Sequence, residues 1–87
     1  MTYVVAVLSL FDFVNKIYVV LALSSEEAMI KALKEFNSKM VDGASSDLND
    51  QDYMVEWYAG LEGKNVEEII SDCMNGEIAI SEPVKLN

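Results

Sequence analysis

The segment that decides the fold is "YVVAVLSLFDFVNKIYVVLAL", residues 3–23, a run of 21 residues that is mostly apolar. A membrane-spanning helix needs about 20 consecutive apolar residues. This run is broken at its centre by Asp12, Asn15 and Lys16, and a mid-helix Asp or Lys costs roughly 2.5–3.5 kcal/mol on insertion scales. Neither arm is long enough to span alone. A secretory leader would carry positive charge ahead of its apolar stretch and a small-residue cleavage site behind it. Here Met1 and Thr2 precede the run, and "SSEEAM" after it opens a helix.

The arms carry Val4, Val5 and Val7 on one side and Ile17, Val19 and Val20 on the other. Such β-branched side chains suit a pleated, half-buried surface. The pattern predicts a β-hairpin with strands over 2–11 and 16–23, its turn drawn from the polar interruption, where Asn15 can adopt a left-handed conformation. Asn-Lys makes a poorer two-residue turn than Asn-Gly, so a longer tip exposing Phe13 and Val14 is expected. Both faces of this hairpin are apolar: Val4, Ala6, Leu8 and Leu10 share one, Tyr3, Val5, Val7 and Phe11 the other. A sheet with one solvated face alternates apolar with polar residues. Cover is therefore expected on both sides, by helices on one and by a second chain, as in a homodimer, or by the helix around Trp57 on the other.

Downstream, "SSEEAMIKALKEFNSKM" starts with Ser24 and Glu27 in capping-box spacing. Met29, Leu33, Phe36 and Met40 then form one stripe of an amphipathic helix, with Glu27 and Lys31 paired on its surface. Residues 41–52 form an acidic loop with four Asp. Read as a calcium loop from Asp47, it has Asp52 where glycine is needed and Tyr58 where a bidentate Glu is needed, so no metal site is expected. Residues 53–63 fit a helix through Met54, Trp57, Tyr58 and Leu61, ended by Gly63, although Tyr53, Val55 and Trp57 also alternate as in a strand. Asn65 caps a further helix with Glu68 three residues on; Val66, Ile69, Ile70, Cys73 and Met74 form its apolar face and Gly76 closes it. A last strand follows through Ile78 and Ile80, stopped or placed at an edge by Pro83. The expected fold is a single α+β domain, 1–87, with a three-stranded antiparallel sheet packed against two or three helices in the order β-β-α-(α)-α-β.

The 87 residues carry 15 acidic and 6 basic side chains, a net charge of −9, with no His and no Arg. Residues 1–39 are balanced, four acidic against four lysines, whereas residues 40–87 hold 11 acidic residues against Lys64 and Lys85. Such a field repels nucleic acid and anionic membranes and attracts cationic surfaces. Without His or Arg there is no imidazole base and no guanidinium clamp for phosphate. The single Cys73 permits no internal disulfide. No phosphate loop, catalytic residue or cofactor motif is found, so a non-enzymatic protein is expected.

The order of elements resembles small bacteriophage accessory proteins of the host-takeover or anti-defence kind. The residues carrying the likeness are Ser24-Ser25-Glu26-Glu27-Ala28, Trp57, Gly63, Glu67-Glu68-Ile69 and Ile80-Ser81-Glu82-Pro83. The resemblance implies action by binding a host enzyme or defence complex in a bacterial cytoplasm.

Two readings follow. In the first, Asp42, Asp47, Asp50, Asp52, Glu56, Glu62, Glu67 and Asp72 occupy the cationic surface of a nucleic-acid-handling protein in the manner of a DNA mimic, as an anti-CRISPR or anti-restriction inhibitor would. A helix presents side chains about every 5.4 Å, within reach of phosphate spacing. In the second, an interaction or regulatory module contacts a protein partner, or itself, through strand-edge or aromatic surface at Phe13, Val14, Tyr53, Trp57 and Tyr58, and charge serves solubility. A small-ligand carrier ranks below both, because the acidic surface disfavours anionic nucleotides.

Overall fold

A computed structural model describes residues 1–10, 13–41 and 57–86, with the side chains of 37–41 outside that set. Two strands, β1 (Thr2–Ser9) and β2 (Asn15–Leu21), form the antiparallel hairpin, with Thr2 opposite Leu21 and Leu8 opposite Asn15. Both strands are shorter than the sequence predicts. The hairpin is closed by bonds from the Ser9 N–H to the Val14 carbonyl (2.9 Å) and from the Phe13 N–H to the Ser9 carbonyl (2.8 Å). Phe13, with φ +57°, holds the left-handed position expected of Asn15, which instead starts β2.

Helix α1 (Ser25–Val41) follows. The Ser24 hydroxyl accepts from the Glu27 N–H (3.2 Å), and the Glu27 carboxylate accepts from the Leu23 N–H (2.8 Å). This bond, followed by Lys31, holds the Glu27 carboxyl below its ordinary pKa. Lys31 also donates to the Leu21 carbonyl (2.6 Å) and pairs with Glu27 (3.3 Å), tying the end of β2 to the first turns of the helix. Ala28, Met29, Ala32, Leu33 and Phe36 are buried; the side chain of Met40 lies outside the described residues.

Residues 57–61 are helical (α2), which decides the described part of the ambiguous segment in favour of helix. Gly63, at φ +84°, turns the chain beyond it. Helix α3 (Val66–Asn75) carries the expected reciprocal cap: the Glu68 N–H donates to Asn65 (2.9 Å) and the Asn65 N–H to Glu68 (3.3 Å). Ile69 and Cys73 are buried, whereas Met74, expected on the apolar face, is half exposed.

The last strand comes in two pieces, β3 (Ile78–Ile80) and β4 (Val84–Leu86), both antiparallel to the same edge of β1. Ile80 lies opposite Val7 and Val84 opposite Val4, so Ser81, Glu82 and Pro83 face only Val5 and Ala6. One extra residue on one strand is a β-bulge. It accommodates Pro83, which has no N–H to give. Ser81 secures it twice: its N–H donates to the Ala6 carbonyl, and its hydroxyl accepts from the Ala6 N–H, both at 2.8 Å.

The architecture is therefore α+β, with β1 central in an antiparallel sheet and helices packed on one side of it. The core consists of Tyr3, Val5, Val7, Ala22 and Ile80 from the sheet side and Ala28, Met29, Ala32, Leu33, Phe36, Leu61, Ile69 and Cys73 from the helical side.

Candidate functional site

Alternation along β1 divides its side chains cleanly. Tyr3, Val5, Val7 and Ser9 are buried beneath the helices; Thr2, Val4, Ala6 and Leu8 point the other way and are half-buried. Register then fixes what surrounds them. Leu21, Val19, Ile17 and Asn15 of β2 lie opposite Thr2, Val4, Ala6 and Leu8 on one flank. Ala79, Val84 and Leu86 lie opposite Leu8, Val4 and Thr2 on the other. Opposed residues of an antiparallel pair share a face, so these residues make one surface.

That surface is apolar and open. Ile17 is 72% exposed, Val19 65%, Leu21 70%, Val84 60% and Leu86 45%. By register none of these positions is charged, since Lys16 and Lys85 sit opposite Val7 and Tyr3, although Lys16 borders a depression on this surface. Ala6, Leu8, Asn15, Ile17, Ala79 and Ser81 line that shallow depression alongside Lys16. The sequence signals this surface through its doubly apolar arms, but the candidate contact residues chosen from the sequence do not include it. Individually exposed apolar residues are ordinary; a contiguous uncharged array across three adjacent strands is not.

The apolar candidates separate. Phe13 and Val14 are exposed at the hairpin tip. Trp57 and Tyr58 are half-buried against the core, their rings 5.3 Å apart at 60°. The Tyr58 hydroxyl donates to the Leu33 carbonyl (3.2 Å), and the Lys34 ammonium lies 5.6 Å from its ring centre. Tyr58 thereby fastens α2 to α1. Tyr53 lies outside the described residues.

Of the acidic candidates, Asp42, Asp47, Asp50, Asp52 and Glu56 also lie outside the described residues. Glu62 and Glu67 are exposed; Asp72 is half-buried and ion-paired with Lys64, whose ammonium is held above its ordinary pKa by that contact. Glu67 shares a surface depression with Glu26 and Glu82, lined otherwise by Asn65, Val66 and Ile70, with no basic side chain.

Buried titratable chemistry is sparse. The Cys73 thiol is pushed up to about 11, first by burial and then by the neighbouring Asp72 charge, which leaves it protonated at neutral pH. Among the described residues no group of His, Cys, Asp or Glu could hold a metal ion, and no helix is long and apolar enough to cross a membrane. No family profile, curated protein or solved structure matches the chain.

Proposed function

We propose that the protein is a small non-enzymatic binding module, acting in a bacterial cytoplasm, that engages a protein partner through the open face of its sheet. The observation that carries this reading is the uncharged array of Ile17, Val19, Leu21, Val84 and Leu86, exposed while the opposite side of the same sheet is packed. Leaving such side chains in water forfeits roughly 1.5–3 kcal/mol for each that a partner could bury fully. Affinity capture with the wild type and an Ile17→Lys/Val19→Lys variant, at low and moderate salt, tests it. Loss of a captured protein in the variant at both salts supports the reading; equal capture by both proteins overturns it.

A second reading keeps the acidic surface as the contact, occupying the cationic surface of a nucleic-acid-handling protein as an inhibitor. Its support is the depression shared by Glu26, Glu67 and Glu82 without a basic side chain. Capture by this surface weakens steeply with salt and fails on Glu62→Lys/Glu67→Lys substitution while surviving Ile17→Lys/Val19→Lys.

A further inference from the structure

We infer that the occupant of the open sheet face is a second copy of this chain, docked face to face about a two-fold axis with the helices outermost. The inference rests on the reading that this face is the binding surface, and it names the partner.

The first argument is relief. A two-fold contact requires one patch to complement itself. This patch carries both parts: Ile17, Val19 and Val84 stand exposed, and the small side chains of Ala6 and Ala79 line the depression beside them. Side chains from one copy can fill the low ground of the other, and twisted sheets pack in this way about 10 Å apart.

Charge supplies the second argument. Two copies of a chain carrying −9 repel each other. Among the described residues the face carries no carboxylate and is bordered by Lys16, and the described carboxylates of α1 and α3 belong to the other layer. Face-to-face docking separates the two helical layers by about 30 Å, from sheets about 10 Å apart and helices about 10 Å thick. That exceeds the Debye length of about 8 Å at physiological salt. A cationic partner gains nothing from this face, because nothing on it is negative.

The third argument is area. Seven residues along three strands, at about 3.4 Å per residue and about 4.8 Å between strands, project to on the order of 350 Å². The protruding side chains add relief, and exposed Leu10 and Leu23 continue β1 and β2 at their ends. Two copies then bury roughly 700 Å² of projected sheet together, which the side-chain relief brings toward the low end of specific interfaces, and weak, micromolar to millimolar association is the expected result.

Pairing along β2 instead would leave the face in water. The bonds from the Ala22 N–H to the Met1 carbonyl and from the Ser9 N–H to the Val14 carbonyl place the even residues of β2 in the β1 ladder. The backbone groups of Ile17, Val19 and Leu21 therefore point to the free edge, and the Leu21 carbonyl is already taken by Lys31.

The test is sedimentation equilibrium of the full chain from about 1 µM to 1 mM, with isotope-filtered NOEs on a mixture of labelled and unlabelled protein and hydrogen exchange at Ile17 and Val19. The expected result is a monomer–dimer equilibrium, intermolecular NOEs joining Ile17 or Val84 methyls to Ala6 or Ala79, and rapid exchange at both amides. Val19→Lys should weaken the dimer by a hundredfold or more, since it buries an unpaired charge, while leaving the far-UV circular dichroism unchanged. A monomer throughout overturns the inference, as does a dimer indifferent to Val19→Lys or one whose NOEs join β2 to β2 with protected amides. A monomer whose protein capture still fails on Ile17→Lys/Val19→Lys overturns the second-copy assignment and leaves the binding face standing. A dimer built through this face, with no other protein captured, supports the assignment and removes the need for an outside partner.

Discussion

Among the described residues, two that are not glycine occupy the left-handed region where glycine is favoured, Phe13 (φ +57°) and Glu77 (φ +62°). Glu77 sits beside a glycine that does not use its freedom: Gly76 caps α3 with φ −94°, and a Cβ there would meet the Cys73 carbonyl at an ordinary 3.5 Å. The sequence marks the end of α3 correctly through Gly76, yet the left-handed residue is the next one, because the Gly76 and Glu77 N–H groups first close tight bonds to the Cys73 and Met74 carbonyls. Glu77→Gly should stabilise the fold by about 1 kcal/mol, whereas Gly76→Ala should change it by less; urea denaturation of both variants checks this. Cys73 supports a pH prediction. Its folded pKa of about 11 lies above the ordinary 9.0, so the folded state holds its proton more tightly than the unfolded chain. Its contribution is complete below pH 9 and is lost as pH rises through 11, by roughly 3 kcal/mol at most. Stability curves of the wild type and Cys73→Ala should converge over that window.

At the scale of elements, the helix starts were the most legible features, because a cap is a local contract: Asn65 and Glu68 bond reciprocally as their spacing indicates, and Ser24 accepts from the Glu27 N–H while the Glu27 carboxylate reaches one residue further back, to the Leu23 N–H. The hairpin was legible from its β-branched arms. Its turn was not, because the closing bonds among Ser9, Phe13 and Val14 depend on strand ends that composition does not mark. The C-terminal strand was legible as a strand, and Pro83 as its interruption. What sequence could not show is that pairing resumes beyond the proline with a one-residue shift of register, since that depends on β1 continuing alongside. Ser81 holds this junction through its hydroxyl. Ser81→Ala should cost about 1 kcal/mol by leaving the Ala6 N–H without its acceptor, and it should speed hydrogen exchange at Ala6.

For the whole molecule, the neutral first part and the acidic remainder were plain in the sequence, and so was the problem of a sheet apolar on both sides. Which side the helices would choose was not, because either face could have received them. The structure puts the stripe of α1 over Tyr3, Val5 and Val7 and leaves Val4, Ala6 and Leu8 outward. Net charge makes its own prediction at this scale. A chain at −9 repels itself when compact, so raising salt from about 0.05 to 0.5 M, where the Debye length falls to a few ångströms, should raise the melting temperature. Thermal scans at fixed protein concentration check this.

The bulge at Ser81–Pro83 also bears on polymerisation. A sheet with two free edges can recruit strands on both sides and grow into a fibre. Here the β3–β4 side is kinked and lacks the proline N–H, which spoils it as a template. Among the described strands only the β2 side remains, so each copy offers one edge to a recruited strand and cannot be extended from both sides. One inserted residue and one missing hydrogen-bond donor thus halve the edge that a single copy exposes.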